Sequence, residues 1–345
     1  DGKAVEIYIP SDADVDDKNA KPGEDFLDLN EDDKIRIARV ADAAGNKMKL
    51  MVKDVALTPS SLIEIDTVKA VARDTVEITF KDELVVFEAA DIILAKVNNS
   101  NLSDSDIYEI AGVDTKLNKD GNTVAVFTLD DDNLLDYDVN ETGATQLYVH
   151  VVPRVDTDDD GVKDATESEN KYGKTLKLYQ GANAVEAEDK IAPKLYDDGN
   201  KDVDYAKKDG EIAHVGDYLT FEATVVDSVY KFDATIYFSE EIDVLDNDLS
   251  LAGSDFNITL NGSKLVNGKD YSVVEYGNVG KVGFVKIRFN GKDYKENDVV
   301  VGKKFEGDLS IELVEKPEYV MDPRENVISS FDAIELDNLE VIRKN

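Results

Sequence analysis

The sequence predicts an all-β chain built from tandem β-sandwich modules. Three observations predict it. Short runs of β-branched and aromatic residues recur along all 345 residues, separated by Asp, Asn, Gly and Lys clusters. Several runs alternate apolar and polar residues, the period of a strand with one buried face. The chain is also far longer than the ~100 residues of one sandwich, so two or three modules are expected.

In chain order, strands are expected at 35–40, 76–80, 124–127, 147–152, 219–225 and 285–289. Asn261-Gly262, Asn267-Gly268 and Asn290-Gly291 are hairpin signals, because both central residues of a tight hairpin turn need positive φ. Helical periodicity is weak, and one short helix is expected within 130–136. An internal repeat is visible. Ile78-Thr79-Phe80-Lys81-Asp82-Glu83-Leu84 matches Ile236-Tyr237-Phe238-Ser239-Glu240-Glu241-Ile242, and Ala90-Asp91-Ile92 then resembles Ser254-Asp255-Phe256. The pattern reads as two copies of a strand, an acidic turn and a second strand.

A turn containing Asp42, Gly45 and Asn46 follows the strand at 35–40, with looser echoes at 170–176 and 322–328. If it closes each module, boundaries fall near 60 and 188. The expected organisation is a partial or truncated module over 1–60, a sandwich with a loop insertion over 61–187, and a sandwich over 188–345. Residues 58–61 and 188–193 then read as linkers, stiffened by Pro59 and Pro193.

Charge narrows the function. Asp plus Glu number 75 against 39 Lys plus Arg, a net of −36. Such a surface repels nucleic acid and anionic membrane, and attracts divalent cations. No apolar run approaches the ~20 residues of a membrane helix. Cysteine is absent, which excludes disulfides, thiol catalysis and Cys-ligated zinc. The two histidines, His150 and His214, sit in strands and support no zinc site. Neither a phosphate loop nor a nucleophile elbow is present. Carboxylates are too widespread to single out a hydrolytic pair, so no catalytic role is expected.

The sharpest motif is Asp156-Thr157-Asp158-Asp159-Asp160-Gly161-Val162-Lys163-Asp164-Ala165-Thr166-Glu167. It fits the twelve-position calcium loop D-x-D-x-D-G-x₅-E. Asp156, Asp158, Asp160 and Asp164 supply side-chain oxygens, Gly161 permits the sharp turn, Val162 offers its carbonyl, and Glu167 closes the site. Calcium takes six to eight hard oxygens, and carboxylates packed this densely need a cation to offset their repulsion. A strand rather than a helix precedes the loop, which argues against an EF-hand. Weaker candidates follow the same logic. They are Asp12, Asp14 and Asp16; Glu188 and Asp189 with Asp197 and Asp198 at the second linker; and Glu240 and Glu241 after a strand end. An acidic group around 130–138 is a further possibility. A cation at the linker would bridge carboxylates across a hinge and stiffen it.

Taken together, Phe238-Ser239-Glu240-Glu241, the linker Asp189-Lys190-Ile191-Ala192-Pro193 and the turn Asp42-Ala43-Ala44-Gly45-Asn46-Lys47 resemble the bacterial Ig-like domains of Gram-positive S-layer proteins. The 156–167 loop resembles a thrombospondin type 3 calcium repeat. The resemblance implies tandem Ig-like β-sandwich modules in a calcium-stabilised, self-assembling surface lattice outside the cell. Identical subunits would be the partners, and any wall anchoring would run through regions outside this chain. An adhesin stalk or ligand-binding region, or an accessory region of a secreted hydrolase, shares the same architecture.

Overall fold

The computed structural model describes residues 62–157, 161–196, 203–204 and 211–344. The first-module expectation over 1–60, Asp12, Asp14 and Asp16 included, lies outside the described residues. The described chain is mostly β, with a four-residue α-helix at Leu249–Ala252, and its buried apolar residues form two separate cores.

The first core runs from Ile63 to Ile191 and lies between two layers of strands. In chain order these are β1 (Ile65–Ala72), β2 (Thr75–Phe80), β3 (Leu84–Val86), β4 (Ile92–Ala95), β5 (Ile110–Leu117), β6 (Thr123–Leu129), β7 (Tyr148–Val151), β8 (Glu169–Asn170), β9 (Val185–Glu186) and β10 (Glu188–Asp189). One sheet has the order β10-β1-β2-β6-β5, and β4-β7-β9 and the pair β3-β8 make up the rest. In β2, Val76, Ile78 and Phe80 point inward while their neighbours stay half-exposed. That is the period-2 pattern read from the sequence. The expected short helix at 130–136 is a single 3₁₀ turn, Asp131–Asn133, which Asp130 caps by accepting from the Asp132 N–H. His150 is buried in β7, and its Nε2 lies 3.0 Å from the Val97 carbonyl oxygen, an ordinary structural pairing.

The second core runs from Ile212 to Val341. Its strands are β11 (Val203–Asp204), β12 (Glu211–Val215), β13 (Leu219–Val226), β14 (Val229–Phe238), β15 (Asp243–Val244), β16 (Phe256–Leu260), β17 (Ser263–Lys264), β18 (Tyr271–Val279), β19 (Val282–Phe289), β20 (Lys292–Glu296), β21 (Val299–Leu313), β22 (Val320–Met321) and β23 (Ile334–Lys344). A sheet ordered β11-β12-β13-β14-β19-β18 faces one ordered β17-β16-β21-β20, with β23 also paired to β21. Phe305 of β21 packs against Phe221, Phe232 and Phe289 of the opposing sheet, with ring centroids 5.3–5.6 Å apart. These offset and edge contacts add to the area term. The fold class is therefore all-β, two sandwiches in tandem.

The connection between the sandwiches is short. Lys190 N still donates to Ala70 O of the first sandwich, while Lys194 O already accepts from Ser239 N of the second. Pro193 O also accepts from Ser329 N. Only Ile191 and Ala192 separate the Lys190 tie to one body from the Pro193 tie to the other.

Candidate metal centre

That short connection brings three carboxylates together. Two of them sit where strand alternation calls for an apolar side chain. Ala187, Asp189 and Ile191 are the buried phase of the first sandwich's last strand. Ile236, Phe238, Glu240 and Ile242 are the buried phase at the end of β14. Asp322 follows β22 and begins the turn echoed in the sequence. Asp189, Glu240 and Asp322 are 4%, 4% and 2% exposed, and one oxygen from each lies within 4.8 Å of the others.

The surroundings are unequal. Asp189 Oδ1 accepts from Ile191 N at 3.0 Å, and Oδ2 from Arg324 Nη1 at 2.9 Å. Asp322 Oδ1 accepts from the backbone N–H groups of Arg324 and Asn326, both at 2.8 Å, and Oδ2 from Asn326 Nδ2 at 2.7 Å. Glu240 Oε1 is fully buried and has no hydrogen-bond partner among the described residues. Arg324 also reaches Val139 O at 2.8 Å and Glu141 at 3.2 Å, and Lys281 pairs with Asp138 at 2.6 Å. Both cations thus tie the second sandwich to the first. Asp138, Glu141, Glu241 and Pro323 complete the walls of a small cleft around the triad.

Burial, and then the neighbouring charges of Asp322, Asp189 and Asp138, push the Glu240 carboxyl up to about 10. Burial raises Asp189 to about 6, against the opposing pull of the Ile191 N–H and Arg324. An unpaired buried carboxylate is costly, and it is relieved only by a proton or a cation. Arg324 is shared between Asp189 and Glu141, so the ionised triad keeps an excess of negative charge that a divalent cation would offset. The donor set is all oxygen and carboxylate-rich, which suits calcium or magnesium rather than a soft metal.

The 156–167 loop behaves differently. Asp158 and Asp160 lie outside the described residues. Asp156 Oδ2 accepts from Gly161 N at 2.8 Å, and Gly161 takes the left-handed φ of +87° that the motif requires. Asp156 Oδ1 is enclosed and has no hydrogen-bond partner among the described residues. Asp164 accepts from both the amide and the hydroxyl of Thr157, at 3.0 and 2.6 Å, which hold its carboxyl below the usual carboxylate range. Val162 is exposed. Glu167 is exposed, and its N–H donates to Asp91 Oδ1. Glu188 points outward beside the buried Asp189, and Glu241 outward beside Glu240. Asp197 and Asp198 lie outside the described residues. The structure therefore joins two of the linker and strand-end candidates, Asp189 and Glu240, and adds Asp322, which sequence reading placed only in a closing turn. For Asp189 and Glu240 the available signal was phase, a carboxylate at an inward position of an alternating strand; Asp322 had none.

No protein-family model and no curated protein matches the sequence. A solved structure titled "Marsupial T cell receptor" is similar over 80% of this chain and 99% of that one, at 8% identity and a TM-score of 0.19. A likeness that slight bears on neither fold nor function. Among the described residues, no helix is long and apolar enough to cross a membrane.

Proposed function

We propose that this chain is a non-enzymatic, structural segment of a self-assembling bacterial surface layer, made rigid by calcium. The observation that carries this reading is the buried Asp189–Glu240–Asp322 triad at the sandwich junction, with an oxygen of Glu240 left without a partner. A cation there joins a carboxylate of the first sandwich to two of the second, and so limits motion between them. The 156–167 loop supplies a further calcium site within the first sandwich. Sites of extracellular modules bind calcium at roughly 10⁻⁴–10⁻³ M, which suits permanent occupancy outside a cell. The net charge of −36 keeps subunits apart until calcium neutralises part of it. Identical subunits are the partners, and nucleic acid and membrane insertion have no part.

Electron microscopy of the full chain tests this reading. Ordered two-dimensional sheets in millimolar calcium that disperse in EGTA are expected. A chain that remains monomeric in both, with one melting temperature, contradicts it.

A further inference from the structure

The two sandwiches carry the same cross-tie in two chemical forms. In the first, β3 pairs with β8, and Leu84 lies opposite Asn170. In the second, β15 pairs with β22, and Asp243 lies opposite Met321, which sets Ile242 opposite Asp322 in the same register. Asn170 Oδ1 accepts from the N–H groups two and four residues on, Tyr172 and Lys174, at 2.9 and 3.0 Å. Asp322 Oδ1 does the same with Arg324 and Asn326. Asn170 N donates to Lys174 O, and Asp322 N to Asn326 O, both at 3.0 Å. The third residue after each, Gly173 and Glu325, has positive φ, +71° and +65°. The partner position also corresponds: Asp82 follows β2 as Glu240 follows β14 in the repeated motif.

One atom differs. With Oδ1 engaged, the remaining atom of Asn170 is Nδ2, and it donates to Asp82 Oδ2 at 2.7 Å. The remaining atom of Asp322 is Oδ2, which cannot donate to a carboxylate. Glu240, 4% exposed, is accordingly left with a buried oxygen that no hydrogen-bonding group among the described residues meets. A buried acid without a donor must either hold a proton or meet a cation.

We propose that the residue at this turn decides whether a sandwich closes its cross-tie by a hydrogen bond or by a divalent cation: Asn170 makes the first cation-independent, and Asp322 makes the second cation-requiring. The inference rests on the cation reading of the triad. It assigns the calcium dependence of the junction to a single amide-for-carboxylate exchange.

The test uses the full chain, with calcium bound per chain measured by titration calorimetry and melting measured in EGTA and in calcium. Asp322→Asn keeps the Oδ1 acceptor, and Asn326 accommodates it by turning its amide. It is expected to bind one calcium fewer than the parent and to melt higher than the parent in EGTA. Asn170→Asp is expected to melt lower than the parent in EGTA and to regain that loss in about 10 mM calcium, well above the range of such sites. An Asp322→Asn chain with the parental calcium count, or an Asn170→Asp loss that calcium does not restore, overturns the proposal. Glu240→Gln separates the two levels: a parental calcium count in that variant removes the cation reading itself.

Discussion

Glu240 concentrates the electrostatic problem of the junction in one side chain. Glu240→Gln removes the buried charge and keeps the shape. We expect melting to rise in EGTA and fall in calcium, where breaking a buried charge pairing costs ~3–5 kcal/mol; calorimetric melting in both buffers checks this. Its position depends on Gly283. A Cβ there would lie 2.4 Å from Glu240 O and 2.4 Å from Ile242 Cγ1, while Gly283 N donates to Glu240 O at 2.8 Å. Gly283→Ala must shift the strand end. We expect a cost of ~1–3 kcal/mol from overpacking and ~10-fold weaker calcium binding, the usual effect of disturbing a ligand's support. Unchanged affinity by titration would show that the Glu240 backbone is not what places the ligand. At this scale the sequence was half-legible. Asp189 and Glu240 stood out as acids beside a linker and a strand end. Asp322 did not, because its burial follows from docking two bodies, which no local pattern records.

Among elements, the repeat is borne by buried aspartates as well as strands. Asp91 and Asp255 are 0% and 1% exposed, each at the end of a 3₁₀ turn. Asp91 accepts from the N–H groups of Glu167 and Ser168, which anchors the far end of the 156–167 loop to the first sandwich. Asp255 accepts from Glu318, Tyr319 and Val320, which positions β22 and so Asp322. Leaving a buried donor unmet costs ~1–3 kcal/mol. Asp255→Ala, which strands three donors, should therefore destabilise its sandwich more than Asp91→Ala, which strands two, by at least ~1 kcal/mol in urea unfolding. Equal losses would contradict that role. Strand alternation and the Ala90-Asp91-Ile92 echo of Ser254-Asp255-Phe256 made the repeat readable from sequence. The three hydrogen bonds that give Asp255 its purpose span over sixty residues and had no such signal.

For the whole molecule, the cation reading of the junction links folding to both protons and calcium. Glu240 and Asp189 have folded-state values of about 10 and about 6, above the ordinary 4.5 and 3.8. An acid raised on folding favours the folded state when protonated. Without calcium, its contribution is therefore present at low pH and is lost as pH rises through the window between the ordinary and the raised value. In EGTA we expect melting to fall as pH rises from about 5 to about 8. In calcium the carboxylates are wanted charged, so the gain from calcium should grow over the same range. Glu240→Gln should largely remove this divergence, which separates it from the general relief of a −36 surface on acidification. Parallel pH curves in the two buffers would contradict the linkage. The most direct measurement is anomalous scattering from crystals of the full chain grown in calcium. An ion is expected between Asp189, Glu240 and Asp322, at ~2.3–2.6 Å from an oxygen of each. A junction without an anomalous peak at about 10 mM calcium, well above the range of such sites, would contradict the cation reading of the triad.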